Sequence, residues 1–129
     1  MKKVLFVCRE NACRSQMAEA FARIHGRDKL TALSAGSTPS GNVNPRAIAL
    51  MKEIGYDMSR HVPKSLADVL PELYDYVITM GCGDACPYLP ALRREDWAVP
   101  DPKDMDEEAF RRVRDLIETK VLGLIAKCA

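Results

Sequence analysis

Cys8 and Arg14, with Ser15 directly after, frame the run Cys8-Arg9-Glu10-Asn11-Ala12-Cys13-Arg14-Ser15. These residue types at this spacing suit the capture and attack of a tetrahedral oxyanion. A guanidinium can fork two oxygens of such an anion. A free cysteine with pKa near 8.5 is about 3% thiolate at pH 7, and a fall of about two units makes it mostly thiolate and nucleophilic. Ser15 can donate its hydroxyl to the Cys8 sulfur, and Asn11 suits the left-handed backbone that curls a loop. The loop from Arg9 through Glu10, Asn11, Ala12, Cys13 and Arg14 to Ser15 then cradles the anion, with Glu10 turned to solvent and Cys13 a packing residue or an adventitious disulfide partner. The alternative is a buried thiol at a strand end.

Two further places carry chemistry. Displacing an oxygen from the anion calls for a general acid, and Asp101 in Val99-Pro100-Asp101-Pro102 can supply it; Asp-Pro is also an ordinary turn dipeptide. Cys82 and Cys86 lie four apart in Met80-Gly-Cys-Gly-Asp-Ala-Cys-Pro87. On a helix such residues are separated by a rise of about 6 Å, within disulfide reach, and the flanking glycines allow rearrangement. The pair can be redox-active, two inert thiols, or half of a zinc site, for which isolated His25 and His61 supply no second half. Cys128, beside the end of the chain, reads as packing.

These residues need a scaffold. Residues 3–7 form a continuous apolar run, as in a strand buried on both faces of a parallel sheet. From Ser15 the period becomes helical through Met17, Ala20, Phe21 and Ile24 until Gly26. A second strand is predicted over 30–35, and Asn44-Pro45 starts a helix whose inward residues are Ile48, Met51 and Ile54. A helical turn follows over 65–70, then a third strand over 76–80. Residues 81–100 read as irregular, the kind of stretch that tends to be functional. From Asp106 to about Lys127, Phe110, Val113, Ile117, Val121 and Leu124 make one apolar stripe, with Arg111, Arg112, Arg114 and Glu118 off it. Alternating strands and helices imply a doubly wound α/β fold, with ligands at the carboxyl ends of the strands, where Cys8 and Gly81-Cys82 fall.

The chain of 129 residues has the size of one domain, 1–129. Nineteen Lys and Arg against 18 Asp and Glu give a charge of +1, which argues against nucleic acid or an acidic membrane surface as partner. The opening Met1-Lys2-Lys3 leads into an apolar run too short for a signal peptide or a membrane span. The expected location is the cytoplasm, where five cysteines are more readily catalytic, redox-active or metal-bound than structural.

Cys-x5-Arg-Ser at the first strand-helix junction resembles the low-molecular-weight protein tyrosine phosphatases and the arsenate reductases that share their fold. Gln16-Met17-Ala18-Glu19-Ala20 resembles the reductase branch, since phosphatases usually carry Pro after the Ser. Ser34-Ala-Gly, Asn44-Pro-x-Ala and the segment from Trp97 to Asp101-Pro102 extend the likeness over the chain. The resemblance implies a three-layer α/β domain with a four-stranded parallel sheet flanked by helices. It implies an arsenate reductase that is monomeric and uses no cofactor beyond an external thiol reductant. Cys8 would attack arsenate while Asp101 protonates the departing oxygen. Cys82 would then attack the Cys8 sulfur and expel arsenite, and Cys86 would move the disulfide to where thioredoxin reduces it. The Gly-Cys-Gly-Asp-Ala-Cys-Pro form resembles branches that use a low-molecular-weight thiol and a glutaredoxin-type partner instead. Asn11, Glu19 and Ser34 match monovalent-cation ligands of some relatives, but Lys64 replaces their Asp, which implies an absent or weakened cation site. The other functional classes are a phosphatase, which needs no second cysteine, and a noncatalytic oxyanion-binding or redox-sensing module.

Overall fold

The strand β1 (Lys2–Cys8) owes its central position to Val4, Leu5, Phe6 and Val7, which are apolar in succession and wholly buried. A strand without a polar face must be covered on both sides. The computed structural model describes residues 1–69, 72–81 and 89–128. In it β1 pairs in parallel with β2 (Leu30–Gly36) and β3 (Tyr74–Thr79), and β3 with β4 (Ala91–Asp96), giving the order β2-β1-β3-β4. Val4, Phe6 and Cys8 belong to one apolar cluster, together with the inward residues of α1 (Arg14–His25), α2 (Pro45–Lys52) and α4 (Glu107–Lys127). Leu5 and Val7 belong to a second, with Ala35, Val77, Leu89 and Val69 of the single turn α3 (Leu66–Val69).

Register places the chemistry. Cys8 stands opposite Gly36, and Val7 opposite Thr79. The ladder continues past the strands: the Met80 N–H donates to the Val7 carbonyl and the Trp97 N–H to the Thr79 carbonyl, each at 2.8 Å. Cys8, Gly36, Met80 and Trp97 therefore line up at the carboxyl edge of the sheet, the edge where ligands are expected. Helix α2 starts as its sequence dictates, with Asn44 Oδ1 accepting from the Arg46 N–H at 2.8 Å and Pro45 in the first turn. Asp106 caps α4 in the same way through the Ala109 N–H.

Three local expectations fail, each for a physical reason. Strand β4 lies in the stretch read as irregular, because Leu92, Arg93 and Arg94 are exposed on the sheet edge and leave no hydrophobic alternation. Helix α2 ends at Lys52, so Leu50 turns inward with Met51, and Ile54 is 43% exposed. Arg114, read as lying off the apolar stripe of α4, is buried: its guanidinium donates to the Leu50 carbonyl at 2.9 Å and to Glu53 at 2.8 Å. With Arg111 on the same carboxylate, these hydrogen bonds pull the Glu53 pKa down to about 2.

Gly36 is required by close approach. A Cβ there would meet the Arg9 carbonyl oxygen at 2.7 Å and the Asn11 nitrogen at 2.9 Å, both backbone atoms of the loop after β1. Gly36→Ala is expected to displace that loop and to cost about 1–3 kcal/mol of stability by overpacking. Urea unfolding checks the second effect, and phosphate protection of Cys8 against alkylation the first. Unchanged values of both would refute the packing argument.

Candidate active site

The loop 9–13 turns at Asn11, the one non-glycine residue with positive φ among the described residues, at 52°. Its backbone is tied to the following chain: the Arg9 and Glu10 carbonyls accept from the N–H groups of Thr38 and Ser40, and the Ala12 carbonyl from that of Asn44. Cys8 lies 3% exposed beneath it, with its sulfur 2.8 Å from Ser15 Oγ. The direction of this bond follows from the groups behind it. The Lys64 N–H donates to Asn11 Oδ1 at 2.8 Å, so Asn11 turns its amide nitrogen to Ser15 Oγ, at 2.7 Å. Ser15 is the acceptor there, and its own proton is free to be donated to the Cys8 sulfur.

The same logic extends outward. Gln16 Nε2 donates to the carbonyls of Asn11 and Val62 and to Asn11 Oδ1, so Gln16 Oε1 faces His61 Nδ1 at 2.9 Å, and that ring nitrogen must carry the proton. Burial is the main cause that lowers the His61 pKa, favouring the neutral ring, whose Nε2 accepts from the Tyr56 hydroxyl at 2.7 Å. Five bonds in series thus point donors toward Cys8. His61, isolated in the sequence, is bonded on both ring nitrogens; His25 is stacked on Phe21 and lies 2.8 Å from Glu118. Spacings of 45 residues between Gln16 and His61 leave no sequence signal.

Arg14 joins the loop to two other segments. Its Nη1 donates to the Met80 carbonyl at 2.6 Å and to that of Val99 at 3.1 Å, while Nη2 lies 3.8 Å from Asp101 Oδ2. Two carbonyls on Nη1 orient the guanidinium and leave Nη2 and Nε for an anion. Gly81, with φ of 75°, leaves room for this: a Cβ there would lie 2.8 Å from Arg14 Nη1. Asp101 is half-exposed, and its Oδ1 accepts from the Lys103 N–H at 3.1 Å. The resulting cavity, of about 300 Å³, is lined by Cys8, Cys13 and Arg14 of the anion loop, by Asn42, Val43, Asn44 and Pro45 before α2, and by Asp101. Among the described residues no aromatic ring lines it.

The other candidates separate. Cys13 is buried, and burial with the nearby negative Asp101 pushes its thiol up to about 12, so it stays protonated at neutral pH. Arg9 is exposed, and Glu10 faces Lys103 at 3.4 Å. Cys128 is partly buried against the core. Cys82 and Cys86 lie outside the described residues. At the residues that resemble a cation site, Ser34 donates to the buried Glu19 at 2.6 Å, and Arg23 and the Lys64 ammonium approach the same carboxylate, at 2.5 and 3.7 Å. The positive charge that Glu19 needs is thereby supplied by the chain itself. Among the described residues no group of three metal-ligating side chains comes together, and no helix is long and apolar enough to cross a membrane.

Comparison with known proteins adds the following. The family model of the low-molecular-weight phosphotyrosine protein phosphatases matches residues 3–129. A glutaredoxin arsenate reductase from Synechocystis sp. is 42% identical over 130 residues, spanning 98% of each chain. Arsenate reductase 1 of Staphylococcus epidermidis is 41% identical over 124 residues, 93% of this chain and 92% of that one. Among solved structures, an arsenate reductase in the phosphate binding state superposes with a TM-score of 0.89 at 41% identity, over the whole of both chains.

Proposed function

Since the chain belongs to the low-molecular-weight phosphotyrosine protein phosphatase family, we propose that it puts the family's oxyanion chemistry to reductive use, as an arsenate reductase. The observation that carries this reading is a buried thiol, hydrogen-bonded with Ser15, that lines one cavity with Arg14 and Asp101. The relatives named arsenate reductase, at about 40% identity over nearly the whole chain, support the same substrate.

In the proposed mechanism the Cys8 thiolate forms a bond to arsenic(V), and an arsenic–oxygen bond breaks. Arg14 balances the charge of the remaining oxygens, and the Asp101 carboxylic acid gives its proton to the departing oxygen, which leaves as water. Cys82 then attacks the Cys8 sulfur; the sulfur–arsenic electron pair stays on arsenic, which leaves as arsenite, and a Cys8–Cys82 disulfide forms. Attack by Cys86 on Cys82 frees Cys8 and leaves a Cys82–Cys86 disulfide for an external dithiol to reduce. No cofactor takes part beyond that reductant. For the reductant, thioredoxin fits a relay of three protein thiols. A glutaredoxin-type partner with a small thiol is the second reading, favoured by the name of the relative 42% identical to this chain.

The test is a single turnover of the reduced protein with arsenate and no added reductant. Two thiols lost per arsenite formed, with a Cys82–Cys86 disulfide on mass-spectrometric mapping, is the expected result. A mixed disulfide appearing only when glutathione is added would favour the second reading. Aryl phosphate hydrolysis that proceeds without thiols and exceeds arsenate reduction by orders of magnitude would replace both with a phosphatase.

A further inference from the structure

Arg46 has no part in the chemistry above, yet its side chain is fully engaged. It lies at the start of α2, directly after the cavity wall formed by Asn44 and Pro45. Its guanidinium crosses to the segment that follows Asp101, donating through Nη2 to the Met105 carbonyl at 2.5 Å and through Nη1 to the Lys103 carbonyl at 3.3 Å. The same group lies over the Phe110 ring of α4, 5.0 Å from its centroid. A half-buried guanidinium held by two carbonyls and a ring is a rigid strut, and lysine cannot reproduce it.

The strut matters because of what it holds. Residues 101–106 form no helix or strand. Inside this loop the Met105 N–H donates to the Pro102 carbonyl and the Lys103 N–H to Asp101 Oδ1. Lys103 is both the residue whose carbonyl Arg46 holds and the residue whose N–H orients the Asp101 carboxyl. The ion pair of Lys103 with Glu10 also ties the loop, but both ends are exposed and such pairs restrain weakly. Helix α2 is fixed to the anion loop in turn, through the bond from the Asn44 N–H to the Ala12 carbonyl. A continuous path therefore runs from the anion loop through Asn44 and Arg46 to Lys103 and Asp101.

We propose that Arg46 is a positioning residue, holding the carboxyl of Asp101 at a fixed place across the cavity from Cys8 so that it can pass its proton to the departing oxygen. This rests on the reading of Asp101 as proton donor. An acid displaced by about an ångström loses much of its effect, since misplacement on that scale can cost up to about a hundredfold in rate. Loss of the strut leaves the acid present but mobile.

The test compares Arg46→Met, Asp101→Asn and the double variant in the arsenate-driven loss of thiols during a single turnover. Methionine keeps an unbranched stem over Phe110 and removes the donors. Arg46→Met is expected to slow the reaction about tenfold and Asp101→Asn about a hundredfold, with the double variant no slower than Asp101→Asn within about twofold, because independent effects add and a shared one does not. Arg46→Lys, which can reach one carbonyl at a time, is expected to fall between Arg46→Met and the native protein, and stands in should the methionine variant not fold. If Asp101→Asn is slow while the Arg46 variants keep the native rate, the inference fails alone. If the losses multiply in the double variant, Arg46 acts apart from Asp101 and the inference is likewise overturned. Native speed in Asp101→Asn would remove the proton-donor reading and the inference with it.

Discussion

Arg14→Lys is expected to lower kcat/KM for arsenate by about 10² to 10³, the scale on which removal of a preorganised oxyanion donor acts. The substitution keeps the charge, so the loss measures geometry. In the native chain one guanidinium nitrogen holds the carbonyls of Met80 and Val99, and the others remain for the anion. An ammonium on a flexible stem has three donors and no fixed fork. It must either leave a buried carbonyl unpaired, at about 1–3 kcal/mol, or turn away from the anion. Both KM and kcat should suffer, because the anion is bound before the attack and gathers charge during it. A fall of less than about fivefold, with the fold intact by circular dichroism, would refute the clamp.

Cys82→Ser is expected to end turnover. After Cys8 has attacked arsenate, arsenic is still in its pentavalent state, and only a second sulfur can take the Cys8 sulfur and leave the electron pair on arsenic. Without Cys82, and with no small thiol supplied to take its place, the adduct returns to arsenate by hydrolysis, and arsenite formation falls to the uncatalysed background. Cys86→Ser gives a different signature, one equivalent of arsenite per chain and an accumulating Cys8–Cys82 disulfide. Quantifying arsenite against protein separates the two variants. Sustained turnover by Cys82→Ser with a thioredoxin- or glutaredoxin-type reductant would refute the relay.

Local chemistry was legible and long-range geometry was not. Asn11 could be assigned its left-handed backbone, Ser15 its bond to Cys8 and Asn44-Pro45 their cap, because each depends on residues within a few positions. The anion loop is compact enough to be read as a unit from Cys8 to Ser15. Strand β4 was illegible because an edge strand exposed on both faces carries no apolar period. Arg114 was misread because its charge suggests solvent, whereas its burial depends on a carbonyl 64 residues away. The supports of the site, His61 behind Gln16 and Arg46 behind Lys103, are ordinary polar residues whose meaning comes only from partners 45 and 57 positions distant. Residues 82–88, which carry Cys82 and Cys86 of the proposed relay, lie outside the described residues, and their part in the chemistry rests on spacing and resemblance.

The alignment of Cys8 with Gly36 across the β1-β2 ladder would also make an oxyanion bound at the loop a folding ligand. The anion loop takes its shape only where two strand ends are paired, with Arg14 reaching the end of a third, so an unfolded chain has no cradle to offer. An oxyanion that binds the folded state alone at one hundred times its dissociation constant adds about 2.7 kcal/mol to stability. By mass action, an anion bound in this cradle would then set how long the protein survives as well as how fast it works.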